Sequence, residues 1–295
     1  MWQKPWNVKE GFLIGGGLII VGLILELSAN PVNWSVFKWP VNIVAITIFL
    51  IAVAVTAAFA SKVYLFRYLC TYGAAIPALC YALVLTIIMG LIRQDANGTW
   101  FDNMLSFWPF VIIYSYVAFI LGRVVLKQVS LLPRKLTSFL FHLGLLVVLL
   151  CATLGNADMK RLKLIATTDI PEWRALDDNY MIVELPMRIE LKQFIYETYD
   201  DGSPKRYASD IEVVSKSGNT YTATVDVNHP AKVEGWTIYQ YGYDTEQGAQ
   251  SNMSILELVR DPWLPYVYTG IFLMLAAAVL LLFIKRQKTL PLPLP

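Results

Sequence analysis

The chain has 295 residues and a formal net charge of +2, and 56% of its residues are hydrophobic while only 16% are charged. Soluble domains average about 25% charged residues, so this composition excludes an ordinary soluble protein. The near-neutral charge indicates no nucleic-acid partner. The apolar residues fall in stretches of roughly 20, the length with which a helix crosses about 30 Å of hydrocarbon. The sequence therefore predicts a polytopic α-helical membrane protein.

About six stretches have the length and composition of transmembrane helices. They are Phe12–Leu27, Val41–Ser61, Leu69–Ile92, Met104–Leu126, Leu136–Leu154 and Tyr266–Ile284. We interpret the first stretch as an uncleaved helix, because no small-residue cleavage site follows it. Near its end, Glu26 is expected to be either interfacial or paired with a basic group.

Lysine and arginine are concentrated in alternate loops. They precede span one, join spans two and three, join spans four and five, and follow span six at Lys285, Arg286 and Lys288. The two opposite loops contain only Lys38 and Arg93. Because cytoplasmic loops carry the excess of Lys and Arg, we expect both termini to be cytoplasmic.

Residues 156–262 interrupt the apolar pattern and predict an antiparallel β domain outside the membrane, inserted before the last helix. Apolar and polar residues alternate from Tyr221 to Val227 with the period of a half-buried strand. Ser217-Gly218-Asn219 separates this stretch from Ile211–Val214 and is a hairpin turn signal. Further strands are predicted at Met181–Leu185, Arg188–Tyr196, Gly235–Tyr243 and Met253–Val259.

This pattern divides the chain into three parts. Residues 1–155 form a membrane domain of five helices, residues 156–262 form the extracytoplasmic β domain, and residues 263–295 form the last helix with a cytoplasmic tail.

One of the two histidines, His142, lies inside the fifth span, roughly 9 Å from its cytoplasmic end by helix rise. An ionisable group at membrane depth is a functional hypothesis by default. It is either hydrogen-bonded to a neighbouring helix or an axial ligand to haem iron. Ser138, four residues earlier on the same face, could hold the second ring nitrogen, as ligand histidines usually require. Gly144 would let a flat macrocycle or another helix approach closely.

No catalytic set is recognisable in the sequence. There is no nucleophile–base–acid arrangement, no glycine-rich phosphate loop and no His, Cys or Asp cluster with metal spacing. Cys70, Cys80 and Cys151 fall in predicted spans without a CxxC or CxxCH pair. We therefore expect buried thiols, without disulfides or covalent haem attachment.

Four stretches of the chain carry a family resemblance. They are Phe141–Leu146 with Leu154–Asp158, Gly202–Ser209 (G-x-P-K-x-Y-x-S), Val227–Pro230 with Gly235–Gln240 (V-N-x-P and G-x-x-x-Y-Q), and Asp261-Pro262 with Tyr268-Thr269-Gly270. In this order they resemble the ResB/CcsB family of cytochrome c biogenesis membrane proteins, the accessory half of the System II cytochrome c synthase.

The resemblance implies a cytochrome c assembly subunit of the bacterial inner membrane. In the family the embedded histidine is one of two transmembrane haem ligands, and a ResC/CcsA subunit supplies the other. This role falls on His142, which would bind the iron of a transient haem b, and His229 in the external domain is not expected to pair with it. The partner's tryptophan-rich haem-handling segment is absent here. We therefore expect the ligation chemistry in the partner, with apocytochrome c and the lipid bilayer as further partners.

Two other functions stay open at this stage. A membrane-anchored scaffold would dock partner proteins through its external β domain without binding haem. A b-type electron-transfer subunit would need paired histidines on facing helices, and only one histidine is embedded. In the external domain, Pro230 and Gly235 are expected in turns. The sequence does not decide whether Tyr239, Gln240 and Tyr241 face a partner or pack in the core.

Overall fold

A computed structural model describes residues 3–95, 98–132 and 134–283, with only the backbone of Ala249. The basic residues Lys285, Arg286 and Lys288 and the predicted tail lie outside the described residues, as does Ile284 at the end of the sixth predicted span. The chain forms two compact units. One is the segment Asp158–Pro262, and the other is built from the residues on either side of it.

The first unit is helical. Its helices are α1 Val8–Ser28, α2 Val41–Ala58, the short α3 Tyr64–Tyr68, α4 Tyr72–Leu91, α5 Trp108–Val129, α6 Leu136–Gly155 and α7 Leu264–Phe283. Among the described residues, six helices are long and apolar enough to cross a membrane, by length and composition. The predicted polytopic helical fold is confirmed.

Two of the α-helices begin later than the apolar stretches predicted for them. In the third predicted stretch, Thr71 has extended torsions (φ −113°, ψ 157°) and separates α3 from α4. In the fourth, residues Trp100–Ser106 form a 3-10 helix, and α5 starts only at Trp108 with Pro109 in its first turn. A proline is tolerated there because the first N–H groups of a helix have no intrahelical acceptor. The remaining span limits differ from the helix ends by at most about one helical turn.

The N-terminus of α5 is stabilised by a carboxylate from α1. Glu26 Oε2 accepts a hydrogen bond from the backbone N–H of Trp108 at 3.0 Å, and a negative charge is favourable at a helix N-terminus. None of the ion pairs found among the described residues involves Glu26. Its hydrogen-bond partner in the structure is a peptide group, and of the two expected alternatives the pairing with a basic group is not found among the described residues.

A glycine contact brings α6 and α7 together. A Cβ atom on Gly144 would lie 2.5 Å from the carbonyl oxygen of Gly270, and one on Gly270 would lie 2.6 Å from the carbonyl oxygen of Gly144. Small residues at such crossings let two transmembrane backbones approach closely. The space beside Gly144 thus belongs to another helix, not to a macrocycle.

The second unit is a single antiparallel sheet of eight strands in the order β5-β4-β3-β2-β1-β8-β7-β6. Its strands are β1 Lys160–Thr167, β2 Glu172–Leu176, β3 Ile182–Thr198, β4 Pro204–Ser215, β5 Thr220–Asp226, β6 Ala231–Val233, β7 Trp236–Tyr243 and β8 Met253–Arg260. The predicted antiparallel β domain before the last helix is confirmed.

Residues 182–198 form one long strand, so the predicted break between Leu185 and Arg188 is wrong. Pro186 lies where the β2 pairing is interrupted, between the pairs Arg174–Glu184 and Glu172–Ile189. The pairing with β4 begins only at Met187. A strand accepts proline where no ladder bond needs its missing N–H. Strands β1, β2 and β6 were not among the predicted strands.

The sheet is rolled around an apolar core. Alternate residues of its strands are buried, as in β1, where Leu162, Leu164 and Ala166 point inward. Side chains of β4 contact those of β7 and β8 across this core, although these strands are not neighbours in the sheet. A flat sheet would keep them apart.

Candidate functional site

His142 lies in the second turn of α6, and its ring is held by the turn before it. Nδ1 is 2.6 Å from the backbone carbonyl oxygen of Ser138 and 3.4 Å from the Ser138 hydroxyl. A carbonyl oxygen can only accept a hydrogen bond, so in the neutral ring Nδ1 carries the proton and Nε2 keeps its lone pair. In the structure Ser138 contacts this ring nitrogen chiefly through its peptide oxygen.

Gln128 of α5 completes this polar group and was missed by the sequence analysis. Its Nε2 donates to the Ser138 hydroxyl at 2.9 Å and lies 3.4 Å from His142 Nδ1. A short connection joins α5 to α6, and residues equally far from such a connection face each other in a helical hairpin. The equal distance of Gln128 and Ser138 from the connection is the sequence signal from which the role of Gln128 could have been predicted.

His142 also lines an apolar cavity. The cavity has a volume of about 200 Å³ and lies between α4, α5 and α6, with Ala78, Ile120, Phe141 and Leu145 among its walls. His142 is half-buried, and no hydrogen bond to its Nε2 is found among the residues that the structure describes. The arrangement can offer one neutral imidazole nitrogen to a metal in apolar surroundings.

The other histidine and the cysteines lie elsewhere. His229 is exposed in the turn between β5 and β6, where its backbone pairs with Asp226. The three cysteines are free, as expected, but they are half-buried and not fully buried. Among the residues that the structure describes, no hydrogen bond joins a cysteine to His142.

The two external motifs meet inside the rolled sheet. Ser209, the last residue of the first motif, donates to Oε1 of Gln240, the last residue of the second, at 2.7 Å. Gln240 Nε2 donates to Ser254 Oγ at 2.9 Å, and the two serine hydroxyls are 2.7 Å apart. All three side chains are at most 5% exposed. Gln240 is thus a core residue, whereas Tyr239 and Tyr241 on either side of it are exposed.

The first motif also ties three strands together through Arg206. Its guanidinium donates to Asp226 on β5 at 2.6 Å and to Glu197 on β3 at 2.9 Å. The hydrogen bond from Arg206 holds the pKa of the Asp226 carboxyl below its usual value.

At the start of the second motif's G-x-x-x-Y-Q stretch, Glu234 and Gly235 have φ of 48° and 81° and form the two-residue turn between β6 and β7. Gly235 is thus in a turn as expected.

The fold defines the class of this protein, a polytopic helical membrane protein with a rolled antiparallel sheet before its last helix. Residues 132–255 match the ResB-like family. This segment, which includes His142 and both external motifs, is similar to that family. The family resemblance drawn from the sequence is confirmed.

Curated relatives match part of the chain. A cytochrome c biogenesis protein CcsB of Prochlorococcus marinus (strain NATL2A) is 28% identical over 119 residues, which are 40% of this chain and 26% of the relative. The protein of that name from Prochlorococcus marinus subsp. pastoris (strain CCMP1986 / NIES-2087 / MED4) is 31% identical over 114 residues, 37% of this chain and 25% of the relative. The match thus spans about a quarter of the length of these relatives.

A solved structure described as cytochrome c haem lyase CcmF is also similar. The similarity covers 72% of this chain and 38% of that chain, with 13% identity and a TM-score of 0.35. At this score the likeness supports no inference about fold or function.

Proposed function

We propose that this chain is a haem-handling membrane subunit of a cytochrome c maturation complex, in which His142 supplies one axial ligand to haem iron. The names of its relatives support the role in cytochrome c maturation. The observation that carries the role of His142 is the hydrogen bond from Nδ1 to the Ser138 carbonyl oxygen at 2.6 Å. It orients the ring and leaves Nε2 as the metal-binding atom.

The donor set fits a haem that is shared with a second protein. One neutral imidazole fills one axial position, and a second ligand has to come from elsewhere. The cavity beside His142 measures about 200 Å³, below the roughly 300–1,000 Å³ of ordinary ligand pockets. A ResC/CcsA-type partner would supply the second ligand and the rest of the pocket. Haem b is then cargo that passes through the complex.

The proposal also includes the orientation of the chain in the membrane and the subunit in which haem is attached. Both termini lie in the cytoplasm of a bacterium, and residues 156–262 lie outside the inner membrane, where apocytochrome c is met. The covalent attachment of haem takes place in the partner subunit, and this chain is not itself an enzyme. His142 keeps haem in place during transfer, with Ser138 and Gln128 as positioning residues.

The His142→Ala variant tests this function. With the partner coexpressed, we expect the purified complex to lose most of its haem and cytochrome maturation to stop, since one axial ligand is missing. Added imidazole should restore part of the maturation, because it fills the open coordination position. The haem spectrum of the complex and the covalent haem of the cytochrome are the two measurements.

Two variants serve as matched controls. Ser138→Ala removes the hydroxyl but keeps the carbonyl oxygen that accepts from Nδ1, so it should keep nearly all of the haem. His229→Ala should also leave the haem content unchanged. If the His142→Ala complex keeps wild-type haem content and spectrum, His142 is not a ligand and the scaffold function replaces the proposed one.

A further inference from the structure

A second cavity, which is polar, lies at the same end of α5 as Gln128. Three cationic side chains line it: Arg67, which is in α3, and Arg123 and Lys127, which are in α5. Its apolar walls include Ala57, Ala60 and Leu126, and its volume is about 350 Å³. The cavity therefore combines a concentrated positive charge with a short hydrocarbon surface, in a chain that crosses a membrane.

Arg123 indicates what this cavity holds. The residue is only 4% exposed. One terminal nitrogen donates to the Phe66 carbonyl oxygen at 3.1 Å, while the buried Nε has no hydrogen-bond partner among the described residues. None of the ion pairs found among the described residues includes Arg123. A buried guanidinium without a counter-ion is strongly unfavourable, so an anion is the missing partner.

The position of the cavity selects the kind of anion. It lies where α2 ends and where α5 enters its last turns, that is, at the end of two membrane-spanning helices. Basic pockets between transmembrane helices at this depth suit lipid head groups, and a guanidinium matches a phosphate in geometry and charge. We propose that this cavity binds the phosphate of an anionic phospholipid, with the adjoining apolar wall against the glycerol and acyl chain.

A carboxylate of haem is a different source of negative charge. The cavity beside His142 uses Val117, Ile120 and Val124 of α5, whereas the basic cavity uses Arg123, Leu126 and Lys127. At 100° per residue the two sets lie on adjoining faces of the helix, since Ile120 and Lys127 point in nearly the same direction. No residue lines both cavities, so the phospholipid site is a separate proposal from the haem ligand, and the two are distinguished by experiment.

Titration with phosphatidylglycerol tests the proposal. The purified full chain, in micelles of a neutral detergent, should show a saturable rise in Tm with phosphatidylglycerol and a much smaller one with phosphatidylcholine. Arg67→Gln and Lys127→Gln should each weaken the apparent affinity for phosphatidylglycerol roughly tenfold, because each removes a charge-assisted contact. Because Arg67 and Lys127 are exposed, these two variants keep the test valid should Arg123→Gln fail to fold. Native mass spectrometry should count one retained phosphatidylglycerol.

Lys62→Gln is the matched control, because Lys62 follows α2 at the same end but does not line the cavity. An equal loss of affinity in Lys62→Gln would mean general attraction to anionic micelles and would overturn the proposal. Equal stabilisation by phosphatidylcholine would also overturn it, as would the same rise in Tm with inorganic phosphate at similar concentration. A loss of bound haem in Arg67→Gln with unchanged phosphatidylglycerol affinity would assign the cavity to haem carboxylates instead.

Discussion

Ser209, Gln240 and Ser254 form a closed hydrogen-bonded triangle inside the rolled sheet. They come from three strands, and β4 is not a sheet neighbour of β7 or β8. Buried polar groups cost stability unless they are paired, so the triangle favours the one packing in which all three side chains meet. All three residues belong to the core of the unit, so Ser209 and Gln240, the two that lie in the quoted motifs, contribute to folding there.

The variant Ser209→Ala should therefore destabilise the β unit. The loss leaves Gln240 Oε1 buried without its donor, which costs about 1–3 kcal/mol. Urea unfolding of the purified full chain in detergent, followed by tryptophan fluorescence, measures the effect. The control is Thr222→Ala, at an exposed position of β5, where little change is expected. Equal losses in both variants would show that the triangle contributes nothing specific.

At the residue scale, the sequence was informative where a residue type was out of place. A histidine within an apolar helix can be recognised from the chain alone, and His142 was found in this way. Its actual partner, a peptide oxygen, is present at every residue and carries no sequence signal. Gln128 was overlooked because its role depends on how α5 and α6 pair, which only the fold decides.

At the scale of elements, two faces of α6 have different surroundings. His142 faces a cavity between α4, α5 and α6, while Gly144 contacts α7. Two residues along a helix correspond to a turn of about 200°, so the two faces are nearly opposite. The contact with α7 thus fixes the rotation of α6 and, with it, the direction in which His142 points.

Gly144→Ala should disturb this contact. The added Cβ would lie 2.5 Å from the Gly270 carbonyl oxygen, and overpacking of this kind costs about 1–3 kcal/mol. We expect a lower Tm of the purified chain and, because the rotation of α6 changes, a reduced haem content of the complex. Gly17→Ala in α1 is the control, since a Cβ there meets no atom within 4 Å. A Gly144→Ala protein as stable as Gly17→Ala would contradict the packing argument.

The elements differ in how well the sequence defines them. Long apolar helices were predicted nearly to their ends, because composition alone specifies a transmembrane span. Strand β2 was missed because its five residues carry only one fully buried side chain, Ala175, and β6 because it has three residues. Neither strand is long enough to show a clear alternation. Strand β1 did alternate, with Leu162, Leu164 and Ala166 buried, and could have been predicted.

At the scale of the whole molecule, the charge pattern of the loops makes a topological prediction. Basic residues concentrate in alternate loops, so we expect the sheet unit on the opposite side of the membrane from the termini. A reporter that is active only in the cytoplasm should be silent when fused near Asn219 and active when fused after Lys288. Activity of the Asn219 fusion would overturn the topology with both termini cytoplasmic.

The last prediction concerns what the chain does without a partner. It offers one imidazole inside its helices, a cavity of about 200 Å³ beside it and no tryptophan-rich haem-handling segment. A host that lacks its own biogenesis genes should therefore form no covalent cytochrome c when it expresses this chain alone with an apocytochrome. Coexpression of a ResC/CcsA-type protein should restore holocytochrome formation, which is measured by haem staining after denaturing electrophoresis.

The His142→Ala variant makes this comparison specific to haem handling. In the coexpressing host it should abolish holocytochrome formation while both membrane proteins still copurify, because alanine is a good helix former and leaves the α6–α7 contact intact. Ser138→Ala should remain active beside it. Holocytochrome made by this chain alone would refute the division of labour between two subunits, because ligation would then need nothing beyond the residues of this chain.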